Sequence, residues 1–232
     1  MKITTLLIFA AAAVTVHAQN IVSWAYDNGN PIPASGFAGV VSANNWNLAG
    51  ASGSANLSYN DATASGTTLS LSGGFGDWGI GGAMAPDPNV TYNSAIFDGY
   101  YNSVGSTLSL GNIPFANYSV YVYFSSDADG RTGTLSDGTT TYSFSTDTRA
   151  KVDAHGDFVF VQTTDTGLSH PSADYAVFAG LTGTSQTLTI ANASDGMGFA
   201  GIQIVAVPEP GTLALAGLGS IGMLLWRRRS MK

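Results

Sequence analysis

Val120-Tyr121-Val122-Tyr123-Phe124-Ser125 reads as a strand before anything else about the chain is known. Val120, Val122 and Phe124 take every second position, and a period of two belongs to a pleated strand with one face on a core. Working outward, the same alternation recurs. Leu69 and Leu71 alternate with Thr68, Ser70 and Ser72, and Leu108 and Leu110 with Thr107 and Ser109. Tyr142 and Phe144 alternate with Thr141, Ser143 and Ser145, and Phe158 and Phe160 with Val159 and Val161. Leu188 and Ile190 alternate with Thr187 and Thr189, and Ile202 and Ile204 with Gly201 and Gln203. Between these runs lie Asp27-Asn28-Gly29-Asn30, Ser72-Gly73-Gly74, Asp127-Ala128-Asp129-Gly130, Ser136-Asp137-Gly138 and Ser194-Asp195-Gly196. All are turn compositions.

Leu135 to Thr141 reads as a hairpin centred on Asp137-Gly138. No helical stripe is visible between residues 19 and 206, and 25 glycines fall in that stretch. About ten short strands with Gly and Asp turns predict an all-β domain, an antiparallel β-sandwich or jelly roll. The strand near Ile21–Tyr26 is expected to pair with the last one, Phe199–Val205. No fixed-period repeat points to a propeller or solenoid.

Composition narrows the function. The chain has 232 residues, of which 44% are hydrophobic, 10% charged and none cysteine. Disulfides, thiolate metal sites and a cysteine nucleophile are thereby excluded. The formal charge of −7 speaks against nucleic acid as a partner. The charge is also segregated. Between Gln19 and Ala206 only Arg131, Arg149 and Lys151 face 14 aspartates, a net −11, while the other five cations lie at the two ends.

Those ends read as membrane-handling segments. Met1-Lys2, an apolar run from Ile3 to Val16 and the exit Val16-His17-Ala18 describe a secretory signal peptide over residues 1–18, cut by signal peptidase after Ala18. At the other end, a linker over 207–211 precedes an uncharged stretch from Thr212 to Trp226. As a helix, those 15 residues extend about 22 Å. That is short of a hydrocarbon core of roughly 30 Å, and on length alone a buried helix is the alternative. Trp226 at its end and Arg227, Arg228 and Arg229 after it favour a short transmembrane helix with a cytoplasmic basic tail over 227–232. The β-rich body, 19–206, then lies on the far side of the membrane.

Val207-Pro208-Glu209-Pro210, the short apolar helix and the arginine cluster together resemble the PEP-CTERM sorting signal of Gram-negative bacteria. The resemblance implies recognition near the Pro-Glu-Pro triplet by a membrane-embedded exosortase. A transient inner-membrane anchor and then release or attachment at the cell surface follow from it, often beside exopolysaccharide systems. The prolines stop the membrane helix from extending outward and leave an accessible extended peptide. More faintly, Tyr175–Phe178, Leu188–Ile190 and Gly201–Val205 resemble the end of galactose-binding-like and carbohydrate-binding sandwiches.

For chemistry in the body, the sequence offers little. Glutamate is absent there, so a paired-carboxylate glycosidase has only aspartates to draw on, and no Gly-x-Ser-x-Gly elbow occurs. His155 sits in a turn-like stretch, and His170 has no nucleophile singled out for it. Asp127 and Asp129 resemble the start of a calcium loop, with Asp153 and Asp157 as a second acidic cluster; a solvated turn is the leading reading of both and calcium the second. Trp46 and Trp78, each among Gly, Asn and Asp, are candidates for a glycan-stacking platform, although burial in the core is the commoner role of such aromatics. No long array of regularly spaced threonines is legible, which counts against ice binding. The expectation is an exported, non-catalytic surface or matrix protein without a cofactor, calcium aside. A carbohydrate-binding module is the alternative, and a secreted hydrolase comes third.

Overall fold

The computed structural model describes residues 20–26, 32–49, 54–73, 76–79, 92–102, 105–148, 158–191 and 194–207. Two sheets account for most of them. The first holds seven strands: β1 (Ile21–Tyr26), β2 (Asn47–Ala49), β5 (Gly76–Gly79), β6 (Gly99–Asn102), β8 (Asn117–Ser126), β11 (Tyr175–Thr182) and β13 (Met197–Ala206). Its main path runs β11-β8-β13-β1-β2, with β5 and β6 joined to it through β13. The second holds β3 (Ser54–Ser58), β4 (Ala64–Ser72), β7 (Thr107–Gly111), β9 (Thr132–Ser136), β10 (Thr141–Ser145) and β12 (Gln186–Ala191), in the order β10-β9-β12-β7-β4-β3.

The alternation of the strands builds the core. Val120, Val122 and Phe124 of β8 and Ile202 and Ile204 of β13 meet Leu69, Leu108, Leu110, Leu135, Phe144, Leu188 and Ile190 of the second sheet in one apolar cluster. Phe124 stacks on Phe144 across it, ring centroids 3.7 Å apart. Among the described residues thirteen strands stand where about ten were expected. The β9–β10 hairpin turns through Asp137-Gly138 as read, and Ile21–Tyr26 pairs antiparallel with β13 from Ile21↔Val205 to Ala25↔Gly201.

Three features depart from the sequence reading. The sheet is not wholly antiparallel, because β2 runs parallel to β1. Phe158–Val161 alternates but is not a strand; it lies over the first sheet, where Phe158 stacks on Phe97 at 4.5 Å and Phe160 meets Tyr123 at 5.6 Å. Its alternation records one-sided burial on a sheet surface, with Val159 70% exposed. Finally, β1 and β13 are buried on both faces apart from Ala206. A second apolar cluster covers the outer face of the seven-stranded sheet, formed by Ile32, Ala38, Trp46, Ile96, Phe97 and Phe158 over Ala25, Tyr123, Tyr175 and Ala200. Small residues make room for this two-sided burial: a Cβ on Gly201 would stand 2.8 Å from the Trp24 carbonyl oxygen. A bulge between Phe199 and Gly201 shifts the parity of β13, so that Phe199 and Ile202, three apart, both face the inter-sheet core.

The signal segment and the C-terminal helix, with Pro208 to Lys232, lie outside the described residues, as do His155, Asp153 and Asp157. Among the described residues no helix is long and apolar enough to cross a membrane.

Candidate functional site

Trp46 is placed in the core rather than on an open loop. It is 5% exposed, its indole Nε1 donates to the Ala43 carbonyl at 3.0 Å, and its ring lies 6.1 Å from that of Tyr123. An indole wedged in this way offers no face to a sugar, which corrects the glycan-platform reading for this residue. Its neighbours Asn45 and Asn47 are polar because their amides bond backbone: Asn47 Nδ2 donates to the Ser23 and Ser58 carbonyls, and Asn45 Nδ2 to that of Tyr59. Trp78 is a strand residue in β5, opposite Tyr100 of β6.

The carboxylates of the described turns are bonded within the chain. Arg131 holds Asp127 in a fork, Nε to Oδ1 at 3.0 Å and Nη2 to Oδ2 at 3.2 Å. A cation arriving at Asp127 has to displace that guanidinium. Asp129 lies in the same turn, and its side is exposed. Asp165 accepts from the hydroxyls of Ser143 and Ser169, from Ser169 N at 3.0 Å and from Gly167 N at 3.0 Å. The Ser143 hydroxyl, followed by that of Ser169, draws its pKa down to about 2. His170 takes a left-handed φ of 50°, with Nδ1 3.3 Å from the Phe144 carbonyl. Among the described residues no group of three His, Asp or Glu side chains converges to hold a metal.

What the sequence does not display is a surface that exists only through register. On the outer face of the six-stranded sheet, Ser70 stands opposite Ser109, and Ser109 opposite Thr187. A longer row crosses five strands: Ser72, Thr107, Thr189, Ser136, Thr141. The six strands contain no charged residue. Their large apolar side chains face the core, so the outer face consists of hydroxyls, small groups and the amide of Asn56. Neighbouring rows repeat at about 4.8 Å across the strands and about 6.8 Å along them. Such a face both donates and accepts hydrogen bonds and repels neither sign of charge.

The remaining site is where the chain leaves the body. β13 is paired along its length by β8, down to Ala206↔Tyr118, and by β1 from Gly201 to Val205. Beyond it, Val207 N donates to the Asn117 carbonyl at 2.9 Å, and Val207 is 44% exposed. The triplet Pro208-Glu209-Pro210 follows directly. Residues 206–229 match the family model of the PEP-CTERM protein-sorting motif. The chain carries this sorting signal. Comparisons with curated proteins and with solved structures gave no match.

The PEP-CTERM signal makes this an exported protein, sorted at the membrane and processed by exosortase. The motif residues Val207 to Pro210 and the stop residues Trp226 to Arg229 all fall within the matched stretch or its boundary; of these, Val207 alone is among the described residues. Sequence reasoning missed the buried polar cluster that fixes the outer layer of the body. Tyr123 Oη accepts from Val40 N at 2.8 Å and donates to Gln203 Oε1 at 2.6 Å. The Gln203 amide also accepts from Val41 N and donates to Val41 O at 2.7 Å and to Ser23 Oγ at 3.3 Å. Burial pushes the Tyr123 hydroxyl well above the ordinary tyrosine range. The signal available was a glutamine in an otherwise apolar final strand, a residue that has to be bonded if it is buried.

Proposed function

We propose that this is a non-catalytic surface or matrix protein whose body contacts a neutral extracellular polysaccharide, including exopolysaccharide, through the hydroxyl face of its six-stranded sheet. The observation that carries the reading is that row of Ser and Thr side chains, uncharged and one residue wide on each of several strands. A hydroxyl-rich polymer matches it group for group, donor to acceptor, without the desolvation cost of a buried charge. Catalysis is disfavoured by chemistry: Asp127 is engaged by an arginine, the carboxylates of Asp61, Asp137, Asp165, Asp174 and Asp195 accept hydrogen bonds from hydroxyls or backbone N–H groups, and glutamate is absent from the body. Calcium at the turn of Asp127 and Asp129 is compatible with this role only if it displaces Arg131.

Pull-down of the purified protein on polysaccharide from the producing cells tests the proposal. Binding is expected for the native chain, and Ser109→Lys with Thr189→Lys is expected to lower it at least tenfold with the fold intact. Undiminished binding by that variant refutes the role of the face. Turnover of a glycoside or ester by the native protein refutes the non-catalytic reading.

A further inference from the structure

Both ends of the body leave from one place. Asn20, the residue before β1, offers its carbonyl to Ala206 N at 3.4 Å, and Ile21 is paired with Val205. The first and last strands are therefore antiparallel neighbours, and the chain enters β1 and leaves β13 at the same end of the sandwich. Around that end lie the turn at Tyr59–Thr63, tied to β1 by Asn60 N to Ile21 O, and the stretch at Ile113, tied to Thr184 O. The β9–β10 turn at Asp137–Thr140 closes the same end of the second sheet. The charged residues of these turns are Asp61 and Asp137, both acidic. Arg131 belongs to the opposite end, where Asp127 N bonds Gly196 O just ahead of β13.

Two consequences follow from chemistry. The first sheet is unfinished until β13 has crossed the membrane, because β13 lies between β8 and β1 in its middle. Since β13 ends at Ala206, the body closes only when the sorting tail is next in line. The spacer between the folded body and the triplet is also very short. Residues up to Ala206 are bonded into the sheet, Val207 makes one last backbone bond, and each extended residue adds at most about 3.6 Å.

We propose that exosortase acts on a completed sandwich standing end-on at the membrane, that the cut falls on the carboxyl side of Val207, and that the last sheet residue, Ala206, and Val207 after it hold the triplet far enough from the body to be reached. This rests on the sorting signal and extends it to the body. A cut on the amino side of Val207 falls where the end of β13 is still held, by Ala206 N to the Asn20 carbonyl and Val207 N to the Asn117 carbonyl, and the enzyme would first have to break those backbone bonds. The reaction breaks one backbone amide C–N bond. With water as acceptor, the hydroxyl joins the acyl carbon of the body and the proton goes to the amine of the departing tail. The charged residues of the turns at this end, Asp61 and Asp137, repel anionic lipid, which favours departure of the body once cut.

The full chain, expressed in an exosortase-bearing host, tests this by intact mass and by the rate at which the tail is lost. The wild-type body is expected to end at Val207 or later. Deleting Ala206 and Val207 sets Pro208, which has no N–H, against β8, and is expected to slow processing at least tenfold. Six Gly and Ser residues inserted in their place are expected to restore the rate, and thermal unfolding of each recovered body separates this from misfolding. A wild-type C-terminus at or before Ala206 overturns the proposal. So does wild-type processing of a deletion variant whose body unfolds normally. A wild-type chain left uncut in that host overturns the sorting reading itself and this inference with it.

Discussion

Replacing Gln203 by leucine tests whether the buried amide holds the outer layer on the seven-stranded sheet. The side chain is fully buried, and its loss leaves the Tyr123 hydroxyl proton, Val41 N and Val41 O without their partner. An orphaned buried polar group costs roughly 1–3 kcal/mol. Val41 is half-buried and can turn toward water, so its two groups sit at the low end or below. The added apolar contact of leucine offsets part of the remainder. The expected loss is about 3 kcal/mol, which at about 2–4 °C per kcal/mol for a domain of this size lowers Tm by roughly 6–12 °C. Urea and thermal unfolding followed by near-UV circular dichroism measure it. Tyr123→Phe deprives Val40 N of its acceptor, and the double variant is expected to lose at least about 1 kcal/mol less than the sum of the two singles. A cost below about 1 kcal/mol for Gln203→Leu, or strict additivity in the cycle, refutes the reasoning.

Three other outcomes follow from the geometry. Gly201→Ala places a methyl 2.8 Å from the Trp24 carbonyl, and backbone cannot swing aside, so unfolding is expected at a denaturant midpoint lower by about 1–3 kcal/mol equivalents. Trp46→Ala is expected to destabilise by about 3–5 kcal/mol, as a core truncation does. An unchanged midpoint with lost polysaccharide binding contradicts the placement of Trp46. Asp165 has a folded pKa lowered to about 2, so its contribution is complete above the ordinary carboxylate range and fades as pH falls toward 2. A pH titration of unfolding in that window, compared with Asp165→Asn, should show the variant losing that part of the acid dependence.

The strands were legible one by one. Period-two runs such as Val120–Phe124 and Leu188–Ile190 require only that one face of each be buried, and that requirement is written in residue type. The sorting signal was legible because its three parts are contiguous and act through local properties: stiffness, apolarity and charge. Trp46 stayed open between a sugar platform and the core for a related reason. Its polar neighbours look like a surface loop, yet Asn45 and Asn47 point their amides at backbone carbonyls inside the body.

By itself, the chain's order of residues determined that the body is β-rich, that β1 meets β13, and that the far end is addressed to exosortase. Only the tertiary structure decided which strands stand side by side. From that came the hydroxyl row running from Ser72 to Thr141, the second apolar layer over β1 and β13, and the shared exit of both chain ends. Alternation fixes which face a side chain takes, but register between distant strands is settled by packing summed over the whole core, and no local stretch records that sum.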